Sequence, residues 1–261
     1  MILDNKFYKI DSLTLMAGAP IAVEEYNLII NQPKIADIAL IGEKKFFESI
    51  SIFKLEKDTF LKLVIKGKSA EETVQITNLF YDKTDDQIIL FLLFNDSELQ
   101  KSINNLFSFL FKDIEETTFY EDCIYIKFND GQQSIINSDS FYIIKDIINQ
   151  IFSLESEVSG KYNPAPGAAE MIVKKLKERE KKIQQMKNES DSESKPMLAN
   201  YLLILSIGSN NFSMDNLLNM TLYQLFAIMK KYSLYEQYQM QVKALMAGAS
   251  DIELIDWMQQ N

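Results

Sequence analysis

The side chains able to support catalysis are few and poorly assorted. The 261-residue sequence contains no histidine, which removes the commonest general base and the commonest metal ligand. Cys123 is the single cysteine, so neither an intramolecular disulfide nor a thiolate zinc site can form. Arg179 is the lone arginine and by itself makes no phosphate clamp. Adjacent carboxylates stand at Asp85-Asp86, Glu115-Glu116 and Glu121-Asp122. Such pairs can hydrolyse a glycosidic bond or hold magnesium, but neighbours in a loop more often form a solvated surface. Gly67-Lys68-Ser69 imitates the end of a phosphate-binding loop, yet Lys62 stands where that loop needs its first glycine. Asn129-Asp130-Gly131 imitates part of a calcium loop, yet Ile126 would fall at its first acidic position; a hairpin turn accounts for these residues. The expectation is a protein that is not an enzyme, with no catalytic residue, cofactor or metal.

Chemistry of contact is better represented. Met229, Tyr232, Tyr235, Tyr238 and Met240 recur close to helical spacing. A stripe of this kind most often belongs to a core; the functional reading is an adaptable partner-binding face, because Met and Tyr suit contact surfaces. The basic concentration Lys174-Lys175-Leu176-Lys177-Glu178-Arg179-Glu180-Lys181-Lys182 lacks interleaved aromatics for base stacking. It reads as a solvated helix with i,i+4 charge pairs, suited to an acidic protein partner or to the chain's own acidic domain rather than to nucleic acid.

Elements to position these residues are legible in the pattern. Hydrophobic residues make up 47% of the chain and charged residues 25%, with a net charge of −10; the balance is that of a globular protein with a core, and the charge disfavours phosphate backbones. The predicted fold class is α+β and mainly helical: an α+β domain over 1–157 with a β-hairpin, a linker over 158–167, and an all-helical region over 168–261 with a flexible break near 188–196. Phe7–Ile10 and Leu13–Leu15 read as short extended pieces before Pro20. From Pro33, the apolar positions Ile35, Ile38, Ile41, Phe46 and Ile50 predict helix, with Gly42 marking a bend or a close contact. Two shorter helices follow over 56–83, broken near Gly67. Ile88–Phe94 is an apolar run whose length suits a buried strand or a buried helix, the lack of alternation favouring helix; it is too short to cross a bilayer. Asn95-Asp96-Ser97 then caps another helix. Ile124, Ile126 and Phe128 alternate with polar residues, and Asp130-Gly131 predicts a two-residue type I′ turn that sets Ile126 opposite Ile135. A helix over about 140–154 follows. Near the C-terminus Thr221 with Gln224, and Ser250 with Glu253, form two capping boxes; the second predicts a short last helix, anchored by Trp257.

Two stretches, taken together, resemble a known family. The first is Pro33-Lys34-Ile35, Ile38, Ile41-Gly42-Glu43 and Phe46; the second is Met220-Thr221-Leu222-Tyr223-Gln224-Leu225, Tyr232, Ala247-Gly248-Ala249, Glu253-Leu254 and Trp257. Their order resembles the tail-gene-block proteins of tailed bacteriophages and prophages of low-GC Gram-positive hosts, of the tail or baseplate assembly chaperone type. The resemblance implies a non-catalytic protein that holds an aggregation-prone tail component, such as a tape-measure or baseplate hub protein. It implies action in the host cytoplasm, with the virion as a second location, and no nucleic-acid or membrane partner; self-association is compatible with it. The alternative is a structural component of tail, neck or baseplate, and a more distant one is a hydrolase built on carboxylates and lysines.

Overall fold

The computed structural model describes residues 8–153, 197–209, 212–248 and 252–258. The linkers expected at 158–167 and 188–196, and the charged helix between them, lie outside the described residues. The fold class is α+β and mainly helical, as the pattern predicts.

Near the N-terminus the chain makes a short helix, α1 (Ser12–Ala17), in place of the extended piece expected there. Its boundaries explain the difference: the Asp11 carboxylate accepts the N–H groups of Leu13 and Thr14, and Gly18 closes the helix at φ +65°. Strands β1 (Ile21–Val23) and β2 (Leu28–Ile30) then pair as a hairpin that the apolar pattern alone does not reveal. Three residues per strand are too few for alternation to register.

The helical run from Pro33 divides into α2 (Ile35–Ile41) and α3 (Glu43–Ser51). Gly42 sits between them at φ +90°, and a Cβ added there would meet nothing within 4 Å, so this glycine makes the bend and not a close contact. Helices α4 (Lys57–Ile65) and α5 (Ala70–Leu79) form the expected pair around Gly67, and Ser69 caps α5 in a box with Glu72. The pseudo-phosphate-loop serine is thus a helix cap. The apolar run lies in α6 (Asp85–Asn95), capped by Thr84 with Gln87. One side of α6, at Ile89, Leu90 and Leu93, enters the main core; Ile88 joins Phe60 and Phe80 in a second cluster beneath α4 and α5. A helix covered on both sides needs no polar face, which is why its sequence shows no period. Asp96 caps α7 (Ser97–Leu110) through Glu98 and Leu99 N–H.

Strands β3 (Ile114–Phe119), β4 (Cys123–Phe128) and β5 (Gln133–Asn137) form an antiparallel sheet in that order. The expected turn is corrected by one residue. Gly131 N–H donates to Phe128 O and Phe128 N–H donates to Gln132 O, both at 2.9 Å, and only Gly131, not Asp130, has positive φ. The loop therefore has three residues, a type I turn closed by a left-handed glycine. One extra residue flips every side chain of the returning strand: Ile126 faces Ser134, Ile124 faces Ile136, and Ile135 is turned out at 56% exposure. Buried Ser134 is satisfied by donating to Tyr26 O at 2.9 Å.

Helix α8 (Ser138–Ile151) packs against β5 and α6 and contributes Phe141, Ile144, Ile147, Ile148 and Ile151 to the core. Its polar side grips the N-terminal segment. Gln150 accepts Ile10 N–H at 3.0 Å and donates to Tyr8 O at 2.5 Å, while Asp146 accepts Tyr8 N–H at 3.3 Å. Burial pushes the Asp146 carboxyl above its ordinary value, against the opposing pull of the Tyr8 N–H. A carboxyl raised in the folded state favours folding below its unfolded pKa, and that contribution is lost as pH rises through the raised value. Asp146→Asn is therefore expected to raise the thermal midpoint relative to the parent at neutral pH, the gap closing as the carboxyl protonates on acidification. A gap that widens on acidification contradicts this assignment.

The C-terminal elements are α9 (Met197–Gly208), α10 (Met214–Leu218) and α11 (Leu222–Met246). Leu198, Leu202, Leu205, Leu217, Leu222 and Leu225 join the same buried cluster as Ile35, Phe46 and Ile147. Among the described residues no helix is long and apolar enough to cross a membrane.

Candidate functional site

The site grows from the joint between the two stretches that carry the family resemblance, because they meet in space. Lys34 and Thr221 form a β-bridge, Ile35 N–H donates to Met220 O at 2.8 Å, and Lys34 Nζ donates to Asn219 Oδ1 at 3.1 Å. Glu43 Oε1 accepts the N–H groups of Met197 and Leu198 at 2.6 and 3.1 Å, supplying an acceptor at the start of α9. Thr221 caps α11 in the expected box with Gln224, and Gln224 Nε2 reaches on to Met16 O at 2.6 Å. These residue types are thus used to seat the 25-residue helix α11 on the rest of the fold and to set α1 beside it.

Only the first turns of α11 are deeply rooted. Leu222 and Leu225 are fully buried, while Phe226, Ile228, Met229 and Tyr232 pack partly against the core. Beyond them the helix presents an open, almost wholly apolar groove of about 470 Å³, lined by Met16, Ala227, Ile228, Lys231, Tyr232, Tyr235 and Trp257. At about 100° per residue, Ile228, Lys231, Tyr232 and Tyr235 share an arc of roughly 100°, whereas Met229 and Met240 fall on another side of the helix.

The candidate stripe is accordingly divided. Tyr232 and Tyr235 are brought together in the groove; Met229 packs on the core; Tyr238 is half-buried and does not line the groove; Met240 is 60% exposed away from it. Ile228 and Lys231 are legible on the helical arc of Tyr232 and Tyr235. Met16 is not, since nothing local indicates that α1 lies beside α11.

The expected last helix is corrected: residues 252–256 are not helical and Trp257-Met258 form a turn. Instead this tail doubles back along α11. Ile255 N–H donates to Gln241 Oε1 at 2.8 Å, Lys231 Nζ donates to Trp257 O at 3.3 Å, and the rings of Trp257 and Tyr235 meet edge to face with centroids 5.1 Å apart. Glu253 is exposed and opens no helix among the described residues. Trp257 does anchor the C-terminus, through a ring contact and a carbonyl rather than through a helix.

Tyr232 is fixed from the opposite side. A Cβ added at Gly208 would stand 2.0 Å from the Tyr232 hydroxyl oxygen, so glycine at the end of α9 admits that ring. Partial burial first, and Glu236 second, push the Tyr232 phenol above its ordinary value. Gly208→Ala is expected to cost about 1–3 kcal/mol through overpacking. Combining it with Tyr232→Leu should recover part of that loss in a double-mutant cycle of thermal or urea unfolding. Strict additivity would show that the two residues do not compete for this space.

Members of two of the acidic pairs make contacts within the fold. Asp85 Oδ1 accepts Lys57 N–H at 2.9 Å, Asp86 pairs with Lys145 at 2.5 Å, and Glu115 pairs with Lys127 at 2.8 Å on adjacent strands. Asp85, Lys145 and Asn149, with Lys54 and Glu56, line a second, polar cleft of about 380 Å³. Among the described residues no group of three or more His, Cys, Asp or Glu is placed to hold a metal. Cys123 lies on β4, and burial together with Asp122 pushes its thiol up, away from the reactive thiolate.

The groove on α11 thus gathers three aromatic side chains, Met16, Ala227, Ile228 and one lysine. A family model described as the YomV second domain matches residues 186–260, the part of the chain that holds α9, α10, α11 and the tail. No curated protein and no solved structure matches the chain.

Proposed function

We propose that this chain is a non-catalytic binding protein of a phage tail gene block, holding another tail component in the manner of an assembly chaperone. The observation that carries the reading is the aromatic groove on α11, an apolar surface open among the described residues of a chain of net charge −10. Aromatic residues and methionine are enriched at protein contact surfaces, and Tyr232, Tyr235, Trp257 and Met16 line this groove. The YomV second domain, a phage- and prophage-associated family, supports the setting, since its match spans the groove-bearing helix. A tape-measure or baseplate hub protein supplies the long apolar segments that such a groove accommodates.

The test is co-expression of the tagged chain with a candidate tape-measure or baseplate hub protein. The partner is expected to co-purify with the parent and with Met240→Ala, and several-fold less with Tyr235→Ala. Equal recovery with Tyr235→Ala would place capture on another surface. Mass spectrometry of purified particles separates the two roles: absence of the chain fits a chaperone, whereas stoichiometric retention replaces that role with a structural one.

A further inference from the structure

The tail resting on α11 shows what chemistry the face of this helix beside the groove accepts. Residues 252–258 read Ile-Glu-Leu-Ile-Asp-Trp-Met. Ile252, Ile255 and Trp257 are half-buried, whereas Glu253, Leu254, Asp256 and Met258 face outward. The segment binds without regular structure. It uses one backbone N–H on Gln241, one carbonyl on Lys231, an aromatic edge on Tyr235, and a tight turn in which Trp257 N–H donates to Ile255 O at 3.1 Å. Trp257 is also part of the groove wall, so the described tail borders the open apolar space. The chain returns to α11 beyond Gly248, whose φ of +92° lets the backbone turn away from the helix end.

We propose that the groove on α11 is a docking site for an extended aliphatic–aromatic segment of a partner protein, and that the chain's own residues Ile252–Met258 hold its entrance as a displaceable competitor. This rests on the reading of the chain as a binding protein and specifies both the partner's chemistry and the regulation of the site. Three features fit displacement. The tail's polar contacts with α11 come from long side chains, Lys231 and Gln241; its anchor ring is only half-buried; and Tyr235 remains 39% exposed beneath it. An incoming segment with its own aromatic anchor would take the edge of Tyr235 and the free apolar volume together, whereas the tail uses only the first. Segments of similar character then compete for one aromatic platform. The tail borders the groove until a longer apolar ligand arrives.

The probe is a synthetic, fluorescently labelled peptide of residues 250–261, added to the full-length chain. Trp257→Ala in the protein removes the internal anchor. This variant is expected to bind the peptide in trans at least tenfold more tightly than the parent, whose own tail competes. A peptide carrying Trp257→Ala should not bind, and Trp257→Ala combined with Tyr235→Ala in the protein should lose the gain. Because Trp257 is the only tryptophan, its emission in the parent protein reads the tail directly: Tyr235→Ala is expected to shift it to longer wavelength. Equal peptide affinity for parent and Trp257→Ala protein, or an unshifted emission in folded Tyr235→Ala, would overturn the proposal. Neither measurement involves a tail protein, so this failure is distinct from loss of partner capture in co-expression.

Discussion

Phe46→Ala is expected to lower the unfolding free energy by about 3–5 kcal/mol, the range for emptying a buried aromatic site. Phe46 is fully buried on α3, and its ring meets Phe152 edge to face at 5.0 Å and Phe47 at 5.4 Å. Phe152 follows the last turn of α8, so this contact joins the helices before and after the sheet. The cost within this range depends on how far neighbours such as fully buried Phe152 relax into the space. Urea unfolding of the parent and variant checks the value. A loss below about 1 kcal/mol, the range of peripheral substitutions, would contradict this position for Phe46.

The second large effect separates two neighbouring isoleucines. Ile136→Ala is expected to cost about 2–5 kcal/mol and Ile135→Ala less than about 0.5 kcal/mol, as for buried and surface sites respectively. Ile136 is fully buried opposite Ile124, while Ile135 is turned out opposite Tyr125. The two-residue turn read from Asp130-Gly131 would reverse that order. The paired measurement of thermal midpoints therefore decides the register of the hairpin, and equal losses would contradict the three-residue loop.

That hairpin shows where local sequence informs and where it stops. The alternation at Ile124, Ile126 and Phe128 locates β4, but a glycine after an aspartate suits two loops of different length, and the choice depends on contacts across the sheet. Caps are legible because they are local: Asp96, Thr221 with Gln224, and the break at Gly67 all stand as expected. Beyond Gly248 a similar motif, Ser250 with Glu253, does not open a helix over the described residues, since Ile255 and Trp257 find partners on α11 instead. Tertiary contact overrides a cap whose following segment is only a few residues long. β1, β2 and β3 escape notice because their strands are short or carry Glu115-Glu116-Thr117-Thr118 on an edge.

The candidate site is half legible for the same reason. Spacing singles out Tyr232 and Tyr235, since residues three apart on a helix lie on one side. It also gathers Met229 and Met240, which a wheel at about 3.6 residues per turn carries to another side. Met16 and Trp257 come to the groove from opposite ends of the chain, through Gln224 and Lys231. No periodicity within α11 encodes either approach.

Whether the α11 groove receives an apolar segment of a tail protein is tested most directly by site-specific photocrosslinking in cells that co-express candidate phage tail proteins. A photoreactive phenylalanine replacing Tyr235 stands at the groove; one replacing Leu79, exposed on α5, serves as the reference position. The predicted result is a crosslink from position 235 to one tail protein, identified by mass spectrometry, and none from position 79. Crosslinking from 79 but not 235, or from neither position while the tail protein still co-purifies, would contradict a docking role for the groove.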